Sequence, residues 1–193
     1  NAKTEAVIQS CKMIEKTEEE PSLDEMADVF GLNSSHFHRL FKKIYYAVVP
    51  TSLGWALIAA TEKGLCRIEF DDTPEALHDT IKTVFPEAEL QENPPEFKTS
   101  IEKTVDFLEQ PHMGLPLPLD IQGTAFQKRV WAELQKIPPG STVNYGEIAK
   151  QIGDPNSARA VARACAANKI AVAIPCHRVV RSNGDLAGYR WGV

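Results

Sequence analysis

Hydrophobic positions in residues 1–44 follow a helical period in three short stretches. The first stretch is broken at Pro21. The second opens at Ser22, which can form a capping box with Glu25, and it ends at Gly31. The third covers residues 36–43 and is polar and basic. Two helices joined by a glycine turn predict a short all-α helix-turn-helix segment over residues 1–44, although any small helical hairpin would show the same spacing.

From residue 45 the period changes to that of strands. Residues 45–49, 54–60 and 65–70 are rich in β-branched and aromatic residues or alternate in polarity, and residues 115–121 predict one further strand. Apolar residues on single helical faces predict helices near residues 77–85 and 97–108, separated by a proline-containing loop at residues 86–95. We therefore predict an α/β subdomain over residues 45–119, built on a small antiparallel sheet.

Helical spacing returns in residues 120–193. Thr124 and Gln127 form a predicted capping box for a helix that ends at the Pro138-Pro139-Gly140 sequence. A short helix at residues 145–151, a turn at residues 154–156 and an alanine-rich helix at about residues 157–167 follow. These last elements predict a second helix-turn-helix, in a C-terminal subdomain over residues 120–193, and the fold class is α+β.

The alanine-rich helix has two interpretations. Its small side chains would let the backbone approach a nucleic-acid groove closely, and Arg159 and Arg163 share one face at i,i+4 spacing. The same composition suits a helix packed tightly in a core. Local charge favours the first interpretation without deciding it, since residues 156–193 hold six basic residues and one acidic residue while the whole chain carries −5. By contrast, residues 62–120 hold five basic residues and fourteen acidic ones.

The composition narrows the classes of protein and of site. The sequence contains no apolar run of the roughly 18 residues that a membrane span needs, and residues 1–20 lack the apolar centre of a signal peptide. We therefore expect an intracellular protein. The four cysteines show no CxxC pair, so the sequence predicts neither a disulfide framework nor a zinc site.

One cysteine has a setting that suggests chemistry. An apolar run at residues 170–174 leads into Pro175, Cys176 and His177, which places the thiol at the end of a buried strand or turn. Most single cysteines only pack, and adjacent Cys and His residues are poorly spaced to share a metal ion. A neighbouring imidazole can take the thiol proton, directly or through water, and so raise the thiolate population. Cys176 is therefore predicted to be a nucleophile that His177 activates.

Two stretches resemble known families. The sequence SLDEMADVFGLNSSHFHRLFKKI at residues 22–44 resembles the first helix-turn-helix of AraC-type regulators, in which SSHFHRLFK would be the recognition helix. That resemblance implies contacts with promoter DNA from Arg39 and Lys42. The hexapeptide IPCHRV matches the signature of the O6-alkylguanine-DNA alkyltransferase family. The stretches GTAFQKRVWAELQKIPPGSTVNYGEIA, NSARAVARACAANKIAVAIPCHRVV and SNGDLAGYRWGV extend this likeness over residues 45–193.

The second resemblance implies a fold and an activity. The implied fold is a small antiparallel sheet with helices, followed by a DNA-binding subdomain of winged helix-turn-helix type. The implied activity is DNA repair by irreversible, single-turnover transfer of an alkyl group from O6 of guanine to Cys176, without a cofactor or a metal. His177 would activate the thiol through water, Asn168 would support the active-site turn, and Tyr145 would rotate the nucleotide outward and hydrogen-bond the departing base.

The resemblance also assigns residues that touch DNA. Arg159 would enter the duplex and fill the gap left by the flipped base. The remaining residues that we expect to contact DNA on the same helix are Ser157, Ala158, Ala160 and Arg163. The carbonyl of Val179 and the loop at Gly188 and Tyr189 would surround the base.

The order of the two segments resembles that of Ada-type members of the family. It implies duplex DNA with O6-alkylguanine as the partner of a monomer in the cytoplasm, at the nucleoid, and it adds promoter DNA and RNA polymerase as partners if the N-terminal segment regulates genes. The family orients its histidine with a glutamate in a helix after GYRWGV, so we expect further chain beyond Val193. The zinc-bound four-cysteine domain that many such members carry does not occur in this sequence. The alternative hypothesis is a non-catalytic DNA-binding transcriptional regulator.

Overall fold

The structure is a computed structural model, and it describes residues 43–185. The predictions for residues 1–42, including the AraC-like helices, lie outside the described residues, as do those for residues 186–193. Residue contacts divide the chain into two units, one of residues 44–84 and 90–193 and the other of residues 1–43 and 85–89. In the second unit the Ala88 amide donates to the Phe85 carbonyl at 3.2 Å, which forms a turn. The strands and helices lie in the first unit, apart from Lys43 and Glu89.

The predicted antiparallel strands are present. β1 (Lys43–Thr51), β2 (Gly54–Thr61) and β3 (Gly64–Asp71) pair in sequence, with Tyr45 opposite Ala60 and Trp55 opposite Asp71. A fourth strand, β4 (Glu89–Glu92), completes the order β3-β2-β1-β4. The prediction of a loop at residues 86–95 missed β4, because its sequence ELQE has a single apolar residue and therefore no alternation to detect.

Two amphipathic helices follow the strands, as the spacing predicted. α1 (Pro74–Val84) buries Leu77 and Ile81, and α2 (Lys98–Glu109) buries Phe107 and Leu108. Short 3-10 turns flank α2 at Pro95–Phe97 and Pro111–Met113. The apolar face of each helix is thus the face that is buried.

Residues 115–121 do not form the predicted strand. Leu119 makes only one isolated parallel bridge, to Leu65. The Leu65 amide donates to the Pro118 carbonyl at 2.9 Å, and the Asp120 amide donates to the Leu65 carbonyl at 2.8 Å. Pro116 and Pro118 lack the amide hydrogens that a longer ladder would need, so the segment follows the edge of β3 without joining the sheet.

Three helices form the second half of the unit. α3 (Ala125–Leu134) starts at the predicted capping box, in which the Gln127 amide donates to Thr124 Oγ1 at 3.2 Å. α4 (Tyr145–Gln151) and α5 (Ala158–Ala166) agree with the predicted short and alanine-rich helices. Trp131 Nε1 of α3 donates to the Ala164 carbonyl of α5 at 2.9 Å, which fixes the two helices together. None of the helices within residues 43–185 is long and apolar enough to cross a membrane.

The sheet and the C-terminal helices share one core that supports the cysteine-bearing segment. The Ile68 amide on β3 donates to the Lys169 carbonyl, and the Ala171 amide donates to the Ile68 carbonyl, both at 3.0 Å. Ile68 and Ala171 are fully buried. The chain just before Cys176 is therefore held by the edge strand β3 of a regular sheet.

Candidate active site and DNA-binding face

The cysteine lies in a tight turn. Cys176 opens a 3-10 helix (Cys176–Arg178) and is 8% exposed. The chain then enters β6 (Val179–Val180), which pairs in parallel with β5 (Val143–Asn144). Of the two sequence alternatives, a strand end or a turn, the structure shows a turn. Upstream, Val172 has φ of 64°, an unfavourable region for a β-branched residue, so the loop before the cysteine is conformationally strained.

Asn168 connects the parts of this turn. Its side-chain Nδ2 donates to Cys176 Sγ at 3.2 Å and to the Ile174 carbonyl at 2.9 Å. Its Oδ1 accepts a hydrogen bond from the Ile170 amide at 2.9 Å. Asn168 is 1% exposed, so these bonds form away from water, where their loss costs most. The amide thus positions the thiol and stabilises the loop that carries it.

Opposing effects act on the pKa of the Cys176 thiol. Burial raises the pKa above its usual value of 9.0, and hydrogen bonds from the Asn168 side chain and from the backbone of Cys176 and His177 lower it. Burial is the largest of these effects, so the pKa is raised and the resting group is a protonated thiol at neutral pH. A nucleophilic Cys176 therefore needs a base.

His177 has the protonation state that a base requires. Desolvation, followed by the positive charge of Arg178, lowers the pKa of His177 below its usual value of 6.5. The imidazole is therefore neutral at neutral pH and has a nitrogen able to accept a proton. Although its ring is partly desolvated, His177 as a whole is exposed at the surface. Water can reach it there.

Tyr145 is the first residue of α4 and lies close to the cysteine. Asn144 caps this helix, with its Oδ1 accepting from the Glu147 amide at 3.0 Å. Burial raises the pKa of Tyr145, and the charges of Cys165 and Cys176 raise it further. The phenol is thus neutral, and it can donate a hydrogen bond near the thiol.

Cys165 is a second thiol beside the first. It lies on α5 and is 8% exposed. Burial and the nearby Cys176 raise its pKa to about 12. Neither Cys165 nor Cys176 forms a disulfide. Because Cys165 is protonated at any physiological pH, the two thiols differ in reactivity although they lie in the same region.

The alanine-rich helix α5 has a packed face and a polar face. Val161, Ala164 and Cys165 are buried against the core, whereas Arg159 and Arg163 are exposed. The packed-core interpretation therefore holds for the buried face, and the approach of the exposed face to a nucleic-acid groove stays a prediction. The other residues predicted to contact DNA are partly buried at the start of the helix, and they are Ser157, Ala158 and Ala160. Ser157 Oγ donates to the Asp154 carbonyl at 2.7 Å, which closes the turn between α4 and α5.

The remaining predicted site residues divide into two groups. Val179 lies directly after the cysteine turn, is 4% exposed and pairs with Val143. The others lie outside the described residues, and they are Arg39, Lys42, Gly188 and Tyr189. Of the residues predicted from the sequence, the structure brings Asn168 and Tyr145 close to Cys176.

Three further residues, to which the sequence pattern assigns no role, lie in this region of the structure. Arg178 Nη1 donates to the Ile137 carbonyl at 2.6 Å, which connects the cysteine turn to the chain just after α3. Arg181 interacts electrostatically with Tyr145, and Cys165 with Cys176. The pairing of β5 with β6 brings Arg181 near Tyr145, and two strands of two residues each carry no detectable period in the sequence.

A cavity of about 380 Å³ lies beside the same turn. Its lining includes Val172, Pro175 and Arg178, together with Leu119 and Pro138, but not Cys176 or Tyr145. The cavity is therefore separate from the thiol.

Two family models match most of the chain. A model described as the ribonuclease-like domain of 6-O-methylguanine DNA methyltransferase matches residues 44–121, and one described as its DNA binding domain matches residues 125–193. The chain belongs to the O6-methylguanine-DNA methyltransferase family. The family's two domains meet between residues 121 and 125, immediately before the capping box of α3.

Relatives of two sizes match the chain. It is 46% identical over 150 residues to the bifunctional transcriptional activator/DNA repair enzyme Ada of Escherichia coli, covering 78% of this chain and 42% of that protein. It is 37% identical over 150 residues to the methylated-DNA–protein-cysteine methyltransferase of Methanosarcina acetivorans, covering 78% of this chain and 92% of that protein. The chain thus spans about two fifths of the Ada relatives and nearly all of a compact methyltransferase.

Solved methyltransferases share the fold. The O6-methylguanine methyltransferase of Mycobacterium tuberculosis is 32% identical, with a TM-score of 0.61, over 77% of this chain and 86% of that one. The Mycobacterium tuberculosis protein solved in complex with DNA is 33% identical, with a TM-score of 0.60, over 77% and 85% of the two chains. The mixed α+β architecture predicted from the sequence is confirmed.

Proposed function

We propose that this protein repairs DNA by moving an alkyl group from O6 of guanine to Cys176, once per molecule and without a cofactor. The observation that carries the proposal is the buried Cys176 thiol held at 3.2 Å by the Asn168 amide, in a chain of the O6-methylguanine-DNA methyltransferase family. Curated relatives named methylated-DNA–protein-cysteine methyltransferases support this reaction.

The first step is removal of the thiol proton. A neutral His177 accepts it through a water molecule, since the pKa of the imidazole is lowered and that of the Cys176 thiol is raised. The hydrogen bond from Asn168 Nδ2 then stabilises the thiolate, because bonds to a charged sulfur are stronger than bonds to a thiol. The base and the hydrogen-bond donor thus act on the same atom.

The second step is an in-line displacement. The thiolate forms a sulfur–carbon bond to the alkyl group, the bond from that carbon to O6 breaks, and its electron pair passes to the guanine. The neutral Tyr145 phenol hydrogen-bonds the departing base, and the proton removed from the thiol passes to the guanine. The products are guanine and a thioether on Cys176. A thioether is not cleaved under these conditions, so each molecule acts once.

The base must leave the duplex to reach a buried thiol. We propose that α4 and α5 form the helix-turn-helix of a winged DNA-binding subdomain, with the small residues of α5 in the groove. Arg159 fills the gap, and Arg163 and the start of α5 contact the backbone. Val179, with Gly188 and Tyr189, surrounds the flipped base. We further propose that one monomer acts at each lesion, at the nucleoid in the cytoplasm. The exposure of Arg159 and Arg163 supports the proposed contacts of α5 with DNA.

The test is transfer of an isotope-labelled methyl group from a duplex with a single O6-methylguanine. The expected result is one equivalent of label per protein molecule, mapped by mass spectrometry to Cys176, with guanine restored in the DNA and no further turnover. Cys176→Ser should accept no label while still binding the duplex. Label on another residue, or retained transfer in Cys176→Ser, would reject the proposal.

The N-terminal sequence favours a second function. Because residues 22–44 resemble AraC-type regulators, we propose that Arg39 and Lys42 bind promoter DNA and that repair is coupled to transcription by RNA polymerase. Ada relatives named as transcriptional activators support this coupling. A regulator favours one duplex sequence, whereas lesion repair depends little on sequence. Binding to a library of undamaged duplexes separates the two, and the absence of any preferred sequence would reject the regulatory role.

A further inference from the structure

The β5–β6 pair places two polar residues side by side next to the cysteine turn. Asn144 of β5 lies opposite Val180 of β6 in a parallel register. β5 is followed directly by Tyr145, the first residue of α4, and β6 is followed directly by Arg181. Because each residue comes directly after a member of the pair Asn144 and Val180, the backbones of Tyr145 and Arg181 leave the paired strands close to one another.

A tight turn holds the backbone of Arg181 in place. The Arg181 amide donates to the Asp185 carbonyl, and the Gly184 amide donates to the Arg181 carbonyl, both at 2.9 Å. Gly184 has φ of 85°, which the turn requires and which glycine adopts without strain. The Asp185 carboxylate accepts a hydrogen bond from Asn183 Nδ2 at 2.6 Å. The base of the Arg181 side chain is thus fixed while the side chain itself is exposed.

The charge of Arg181 acts on the phenol of Tyr145. It lowers the pKa of Tyr145 against the rise that burial causes. The guanidinium therefore lies within electrostatic range of the phenol. An exposed cation beside a neutral phenol that lies near a buried thiol is suited to hold an anion that both groups touch.

We propose that Arg181 binds a backbone phosphate of the DNA beside Tyr145 and so holds the extruded nucleotide with its base towards Cys176. The inference rests on the proposed function. A guanidinium presents a planar pair of donors that fits two phosphate oxygens, and a loop fixed by two backbone bonds presents it with little loss of entropy. Arg181 thereby positions the substrate from the cysteine turn, separately from Arg159 on α5.

The salt dependence of DNA binding tests this role. Each phosphate contact adds about 0.9 to the slope of the logarithm of affinity against the logarithm of salt concentration. We would measure binding of a duplex containing O6-methylguanine by fluorescence anisotropy between 50 and 200 mM KCl, in a Cys176→Ser background that cannot react. Arg181→Met should lower the slope by about 0.9, the value for one phosphate contact. The ratio of the affinity of the parent to that of Arg181→Met should therefore fall about 3.5-fold between 50 and 200 mM KCl.

Matched variants separate this role from a general effect of charge. Lys103→Met removes an exposed cation from α2 and should keep the parent slope, while Arg181→Lys should restore most of the slope. Arg181→Gln repeats the charge removal with a polar side chain. An unchanged slope in both Arg181→Met and Arg181→Gln would overturn the inference. The Cys176-containing chain and its Arg181→Met variant should both accept benzyl from free O6-benzylguanine, which has no phosphate. Failure of the unsubstituted chain to accept any alkyl group would instead reject the proposed function.

Discussion

The side-chain amide of Asn168 donates to both Cys176 Sγ and the Ile174 carbonyl, at 3.2 and 2.9 Å. A single buried group therefore sets the position of the thiol and the shape of the loop before it. Stability and reactivity depend on the same hydrogen bonds, so a change at Asn168 should alter both.

Replacing Asn168 with alanine should destabilise the fold and slow transfer. The buried Ile170 amide, which now donates to Asn168 Oδ1, would lose its hydrogen-bond acceptor. Together with the other lost bonds this should cost about 2–4 kcal/mol of unfolding free energy. Urea denaturation measures the loss, with Asn183→Ala in the exposed turn as the control. A loss below about 1 kcal/mol would contradict the role of this network.

The two neighbouring thiols should respond differently to substitution. Cys176→Ser should abolish methyl acceptance, whereas Cys165→Ser should retain it, because a thiol with a pKa of about 12 is not ionised at neutral pH. The amount of labelled methyl on each variant after incubation with damaged duplex measures this. Loss of acceptance in Cys165→Ser with the fold intact by circular dichroism would mean that Cys165 takes part in the reaction.

The pH dependence of transfer should follow from the directions of two pKa shifts. The pKa of His177 is lowered, so its base form remains available at pH values below 6.5. The pKa of Cys176 is raised, so the thiol remains protonated at pH values above 9.0. Between these limits the rate constant should be flat, and it should fall at acid pH as His177 takes up a proton.

His177→Gln should change the shape of this profile. Without the imidazole, only the thiolate formed by hydroxide reacts, so the rate constant should rise about tenfold per pH unit from neutrality to pH 9. Rapid-quench assays with saturating duplex measure it. A flat profile in His177→Gln would show that another group takes the proton.

Close contact with the backbone should make Gly64 less tolerant of substitution by alanine than Gly114. Both have positive φ, at 138° and 75°, so an alanine at either is strained. At Gly64 the added Cβ would also lie 2.3 Å from the Pro118 carbonyl oxygen, whereas at Gly114 nothing lies within 4 Å. Gly114→Ala should cost about 1 kcal/mol and Gly64→Ala at least about 2 kcal/mol more by thermal or urea unfolding. Equal losses would mean that the 115–121 segment moves away readily.

Periodicity predicted the elements whose faces are clearly divided between core and solvent. β1, β2 and β3 alternate or are continuously apolar, and the helices have residues such as Leu77, Ile81, Val130 and Leu134 on one buried face. Segments without such a division between core and solvent have no periodicity from which their structure could be predicted. The strand expected at residues 115–121 was wrong, because alternating prolines imitate strand spacing but remove the donors that a ladder needs.

The candidate site was predictable where the residues adjoin in sequence and hard to predict where only pairing joins them. Cys176 and His177 are neighbours, so the chemistry could be argued from the chain itself. The proximity of Tyr145 to Arg181 depends on the short β5–β6 pair, and that of Cys165 to Cys176 depends on the packing of α5. Neither has a signal in composition or spacing. The family resemblance supplied Tyr145 and Asn168, while Arg178 and Arg181 became apparent only from contacts.

Two arginines on one helix should separate base flipping from binding. Arg159 and Arg163 are both exposed on α5, but only Arg159, at its N-terminal end, is proposed to enter the duplex. Arg159→Ala should slow transfer at saturating damaged duplex about tenfold or more, since filling the gap offsets an unstacking cost of a few kcal/mol. Arg163→Ala should weaken duplex affinity with little change in that rate constant. Neither change should slow the reaction with free O6-benzylguanine, which needs no flipping. Single-turnover kinetics on both substrates measure these effects, and equal losses on duplex and free base in Arg159→Ala would remove its proposed role.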